Sequence, residues 1–213
     1  MPELHIPDPG DRDTLAAFVA RAVRLDGQTM VRLRERERGA GLIEAWVATP
    51  FDVLVTRAVV GVVSPSDLTV SGNELLAALT VTGGKRMDPG PPRDLYWQSE
   101  LPMGGSWRAV DDLPAEEIAK LAERGVTLAR DNVGPQGTPP ASLMDQTVLT
   151  VSSEAMQIKV PMRCLFALSG MGFLDASRAE DVVRVTATDS WMRLDARYGA
   201  ALRRRHALLP LLF

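Results

Sequence analysis

With 213 residues, 46% of them hydrophobic and 24% charged, the chain has enough material for one large or two small domains, and the mixture excludes a wholly disordered polymer. Its formal net charge of −3, from 24 basic and 27 acidic side chains, argues against bulk attraction to nucleic acid or anionic lipid. Two histidines, His5 and His206, and the single Cys164 exclude an intramolecular disulfide and the common metal and nucleophile chemistries.

The first thirteen residues, MPELHIPDPGDRD, have neither a basic nor an apolar stretch of the secretory kind. The longest clean apolar runs, Ala58–Val63 and Ala207–Phe213, are too short to span a bilayer, so the expected location is the cytoplasm. Three prolines in residues 1–10 read as an extended lead-in. From Thr14 to Leu25, the residues Leu15, Phe18, Val19, Ala22 and Leu25 fall at helical spacing, with Asp13 as the expected N-cap and Gly27 as the stop. Strands are expected at Thr29–Arg34, Leu42–Thr49 and Val53–Val63, the last apolar on both faces and therefore central.

Ser71 and Glu74 form a capping box, with Val70 and Leu75 as its hydrophobic staple, which predicts a short helix through Leu79. Residues 83–112 are rich in Gly and Pro and hold Tyr96, Trp97 and Trp107. After them, Pro114 opens a helix with Ile118, Leu121, Ala122 and Leu128 on one face. Residues 133–140 (VGPQGTPP) are the expected linker. Beyond it the pattern is hairpin (Gln146–Val151 with Met156–Val160), buried helix (Met162–Met171) and a second hairpin (Val182–Ala187 with Ser190–Ala196). The order of strands and helices echoes loosely between the halves, without a repeat at the level of residues.

The second hairpin carries the leading candidate site. A two-residue turn at Thr188-Asp189 would place Arg184 opposite Arg193, on the face that also presents Trp191. Two arginines so placed repel, and something anionic belongs between them: either Asp181, Asp195 or another internal carboxylate, or a ligand phosphate or carboxylate with Trp191 stacked nearby. Internal neutralisation of both arginines would remove the ligand reading. A second stripe, Arg32, Arg34, Arg36 and Arg38, alternates with Glu35 and Glu37; it could meet a phosphate backbone or an acidic partner, but reads chiefly as a solvated hairpin tip, since no aromatic is interleaved to stack a base. Trp97 and Trp107 are candidate binding residues in the 83–112 loop, as a lip or as anchors of that loop on the core. Thr82-Gly83-Gly84-Lys85-Arg86 lacks Walker spacing. Cys164, among Met162, Leu165, Phe166 and Leu168, reads as a core thiol. The tail, Arg203 to Phe213, joins a basic triplet to an apolar end that should dock on its own core or on a second subunit.

The blocks LPAEEIAKLAERG, MDQTVLTV, VPMRCLFALSGMGFL and VVRVTATDSWMRLDARYGA resemble conserved hypothetical proteins of actinobacteria, over residues 113–200. That resemblance implies no activity. The expectation is an α+β protein, mostly antiparallel sheet with about four helices. Its two lobes, 1–132 and 141–213, would each be built from β-hairpins plus helix. The favoured function is a non-catalytic cytoplasmic binding or protein-interaction module, assembling as a homodimer. The alternative is an enzyme acting on a small anionic substrate through carboxylate and arginine chemistry. No motif calls for a metal or cofactor, no catalytic residue is assigned, and nucleic acid and membrane are not expected partners.

Overall fold

In a computed structural model of the chain, the described residues are all except 38, 82–83, 103, 132–140, 176, 179 and 206–213. They form two compact units, the first being Met1–Glu100 with Gly170–Gly172 and the second Leu101–Ser169 with Phe173–Phe213. The division thus falls at residue 100 and not at the expected linker. Residues 133–140 lie outside the described set, and the elements on both sides of them belong to the second unit.

The first unit runs β1 (Glu3–His5), α1 (Pro9–Leu25), β2 (Met30–Glu35), β3 (Leu42–Thr49), β4 (Val53–Val60), β5 (Val62–Ser64), β6 (Asp67–Ser71), α2 (Gly72–Val81), β7 (Arg86–Met87) and a short 3₁₀ turn, Asp94–Tyr96. Helix α1 starts earlier than the periodicity suggests. Asp8 accepts the N–H groups of Gly10 (2.6 Å) and Asp11 (3.4 Å), and Pro9 supplies the fixed φ of a first helical residue. Leu15, Phe18, Val19 and Ala22 then share one buried stripe. The antiparallel sheet, in the order β6-β2-β3-β4, buries Val31, Leu33, Ile43, Val55, Leu68 and Val70, and α1 packs on its strands β3 and β4. The expected strand 53–63 is two strands because Gly61 interrupts it. Its N–H donates to Gly41 O at 2.8 Å, and a Cβ there would lie 2.7 Å from His5 O, so the chain turns to join the small sheet β5-β1-β7.

The second unit runs β8 (Arg108–Pro114), α3 (Ala115–Asp131), a single turn α4 (Ala141–Met144), β9 (Thr147–Ser152), β10 (Gln157–Pro161), α5 (Met162–Gly170), β11 (Val182–Ala187), β12 (Trp191–Ala196) and β13 (Gly199–Arg204). Its antiparallel sheet has the order β13-β12-β11-β8, and β10-β9 is a separate hairpin. Two expectations are corrected. Residues 108–112 are strand and not loop. Residues 199–204, of which only Arg203 and Arg204 fall within the expected tail, form β13, whose alternation is hidden because Ala200, Ala201 and Leu202 are all buried. Helix α3 buries Ala115, Ile118, Ala119, Ala122, Gly125 and Ala129, while Leu128, expected on that face, is half exposed. Small residues on this stripe bring α3 close to Met162 and Phe166 of α5. Helix α5 is buried nearly all round and contains Cys164, which is 1% exposed. The whole is α+β and two-lobed with mostly antiparallel sheet, and no described helix is long and apolar enough to cross a membrane.

Candidate functional site

The β11-β12 hairpin closes one residue later than expected. Thr188 N–H donates to Trp191 O at 2.9 Å, so Asp189 and Ser190 are the turn, and the Thr188 hydroxyl accepts the Trp191 N–H at 3.0 Å. Moving a turn by one residue moves the register by two, which keeps the core face (Val183, Val185, Met192, Leu194) and changes every partner on the other face. Arg184 therefore faces Asp195, and Arg193 faces Thr186. The guanidinium of Arg184 grips Asp112 of β8 with two bonds of 2.9 Å, and Arg193 bonds Asp195 at 2.7–2.8 Å. Both arginines are neutralised internally, so the apposition that called for a ligand anion is not there.

The Arg184 hydrogen bonds, reinforced by its charge, hold the Asp112 carboxyl below the usual carboxylate range and raise the Arg184 guanidinium. A carboxyl depressed in the folded state contributes stability above its unfolded value, about 3.9, and loses it as pH falls through the folded value. Arg184→Gln is expected to return the Asp112 titration, followed by NMR of the carboxyl carbon, towards the ordinary range. An unchanged midpoint would refute the assignment.

Trp191, half-buried, has the Arg204 guanidinium 4.8 Å from its ring centroid. The stripe on β2 is neutralised from neighbouring strands: Arg32 makes two bonds of 2.7 Å to Asp67, Arg34 stands 3.9 Å from the same carboxylate, and Arg36 is 3.7 Å from Glu44. Arg38 lies outside the described residues. The aromatic residues of the loop are divided, with Tyr96 and Trp97 in the first unit and Trp107 in the second. Trp97 donates its indole N–H to Ser99 O at 2.5 Å and lies 5.8 Å from the Arg32 guanidinium. The 3₁₀ turn beside it is pinned to the free edge of β6, where Thr69 N–H bonds Asp94 and Arg93 N–H bonds Thr69 O, both at 2.7 Å. Trp107 is half-buried.

A cavity of about 620 Å³ opens along α3, lined by Lys120, Glu123, Arg124, Thr127 and Leu128. It holds one carboxylate beside two cations, and Lys120 is already engaged by Glu116 (2.7 Å) and Glu117 (3.0 Å), so its lining assembles no acid/base pair. Among the described residues, no three His, Cys, Asp or Glu side chains lie together as a metal site. Sequence reasoning passed over Arg108, which meets Asp189 at 2.5 Å, and placed Arg205, which bonds Thr188 O at 2.8 Å, only in the basic triplet of the tail. Their signal is visible only once β8 and β13 are recognised as strands flanking the hairpin.

A domain of unknown function, DUF8010, matches residues 1–99, and a second, DUF8185, matches residues 102–208. The chain belongs to the DUF8185 family. The border between the two matches coincides with the division of the DUF8185 protein into units at residue 100. No curated protein matches it. Solved structures do. A chain provisionally assigned as a DNA polymerase III beta subunit from Eubacterium rectale superposes with TM-score 0.61 at 9% identity, over 100% of this chain and 67% of that one. The DNA polymerase beta subunit of Streptococcus pyogenes gives 0.58 at 7%, over 99% and 66%, and the DNA polymerase sliding clamp of Bacillus subtilis 0.57 at 11%, over 99% and 66%. The fold is that of these clamps, and the DUF8185 protein spans about two thirds of their length.

Two expectations are corrected by this likeness. The reading as an interaction module without assigned role, with a small-anion enzyme as its alternative, gives way to a sliding-clamp-like fold matched from end to end. Setting nucleic acid aside also fails, because net charge averages over a surface and does not say where the arginines gather.

Proposed function

We propose that the DUF8185 protein is a sliding-clamp-like module that holds duplex DNA through its phosphate backbone and offers a surface to protein partners. The observation that carries this reading is the whole-chain fold likeness to structures named as DNA polymerase beta subunits and sliding clamps. A body that slides cannot read bases strongly, so its affinity comes from phosphate contacts and falls steeply with salt. The assembly we favour is a homodimer, the commonest closed arrangement of identical chains. A cytoplasmic location follows from the DNA partner, and an actinobacterial source is suggested by the resemblance of blocks within residues 113–200 to conserved hypothetical proteins of actinobacteria.

The test is fluorescence anisotropy of the full chain with labelled duplexes of unrelated sequence at low salt, beside light scattering. The expected result is binding that is indifferent to sequence and lost on raising salt, by an assembly larger than a monomer. No binding to any duplex at low ionic strength would end the DNA reading, and a monomer in both free and DNA-bound samples would end the dimeric assembly.

A further inference from the structure

Two buried polar groups of the first unit have no hydrogen-bond partner among the described residues: the indole N–H of Trp46 on β3 and the hydroxyl of Thr56 on β4. Their residues are 4% and 5% exposed, so solvent at the surface does not satisfy them. The two belong together, because Trp46 stands directly opposite Thr56 in the β3-β4 ladder. Residues paired in this way share a face of the sheet, with Cβ atoms about 4.5–5.5 Å apart. Buried polar groups are nearly always bonded, and two unmet ones side by side point to a shared third party.

Alternation separates this pair from the rows beside it. Leu33, Ala45 and Arg57 form one neighbouring row, Val47 and Val55 the other, and both point to the opposite face. On the face of Trp46 and Thr56 the flanking pairs are Glu44 with Ala58 and Ala48 with Leu54. Ala58 lies diagonal to Trp46 and Ala48 diagonal to Thr56, and a methyl group at each position leaves space that a longer side chain would fill.

The charges on this face are engaged elsewhere. Arg32, opposite Trp46 on its other side, makes two bonds of 2.7 Å to Asp67. Arg34 stands 3.9 Å from the same carboxylate, and Glu44 is 3.7 Å from Arg36. An ion between Trp46 and Thr56 would thus meet no unspent opposite charge, and a cation would also face an indole N–H that can only donate. The pair calls for a small neutral molecule that accepts from the indole and bonds a hydroxyl in either sense. Water does both, and two polar partners suffice to hold a buried water.

We infer that Trp46 Nε1 and Thr56 Oγ1 together hold one ordered water, which accepts from the indole N–H and closes a solvent-mediated link between β3 and β4.

Urea denaturation of the full chain tests this, because the sign of one substitution depends on the bridge. Thr56→Val replaces the hydroxyl by a methyl of nearly the same shape. With the bridge in place, the water loses a partner and the indole is stranded, so the urea midpoint is expected to fall. Without it, the substitution removes a buried unpaired group and the midpoint stays or rises, which overturns the inference. Trp46→Phe/Thr56→Val is expected to lose less than the sum of the single losses, since both act on one water, and strict additivity overturns the bridge. A crystal structure of the full chain gives the direct view. One water is expected within ~2.7–3.2 Å of both atoms, retained in Thr56→Ser and lost in Thr56→Val. A well-ordered pair without that water, or a direct bond between Trp46 and Thr56, overturns the inference.

Discussion

Phe18→Ala is expected to cost ~3–5 kcal/mol of folding stability, the range for emptying a fully buried aromatic site. Phe18 is 2% exposed and lies in the stripe of α1 that also carries Leu15, Val19 and Ala22. Helix α1 packs on α2, β3 and β4, so the space left by the ring is walled by regular elements that cannot collapse into it without breaking their own hydrogen bonds. Urea denaturation followed by circular dichroism would measure the loss as a fall in midpoint at unchanged slope. A change under ~1 kcal/mol would mean that the α1 stripe is not the core of the first unit.

The second large effect is expected in the other unit, from adding a single methyl group. Gly199 opens β13 directly after the Arg197-Tyr198 turn, paired with Ala196. A Cβ at that position would lie 2.4–2.7 Å from three ring carbons of Phe173, well inside van der Waals contact. The ring cannot swing aside, being itself 1% exposed. Gly199→Ala should therefore destabilise by ~1–3 kcal/mol, as overpacking of a close-packed site does, and Gly199→Val by more. The diagnostic is a double variant. Phe173→Leu costs stability alone but should cost less in the Gly199→Ala background, because the shortened side chain relieves the clash. Strict additivity of the two changes would refute the contact.

Much of this architecture is legible in the residues because local chemistry decided it. The spacing of Leu15, Phe18, Val19 and Ala22 marks α1, and Ser71 to Leu75 marks the start of α2 within a residue. Where the sequence misled, a local signal was either doubled or concealed. Asp8-Pro9 and Asp13 are both good helix starts, and in the folded chain it is Asp8 that caps. Val53 to Val63 is an unbroken apolar pattern because a glycine ends a strand without interrupting hydrophobicity; what ends it is the approach of His5, over fifty residues away. The candidate site suffered most. The hairpin and its two faces follow from residue alternation, but Thr188-Asp189 and Asp189-Ser190 are equally acceptable turns, and the choice of the second takes Arg193 out from opposite Arg184. The grouping of arginines around Thr188 could not be read at all, since Arg108 and Arg205 are 97 positions apart in the chain and only strand order brings both beside Thr188. Fold likeness at 7–11% identity likewise leaves no motif for the eye.

The four tryptophans fall two to each unit, in unlike surroundings, and this makes the molecule its own optical reporter. Trp46 is 4% exposed and its indole N–H has no hydrogen-bond partner among the described residues, so it should emit to the blue and shift strongly when the first unit opens. Trp97 in the same unit has its N–H bonded to Ser99 O. Trp191 sits beside a cation, and its emission should respond to anything that draws Arg204 away from the ring. Chains stripped to one tryptophan would then let the opening of each unit, and any event at Trp191, be followed as separate colours and lifetimes in a single cuvette.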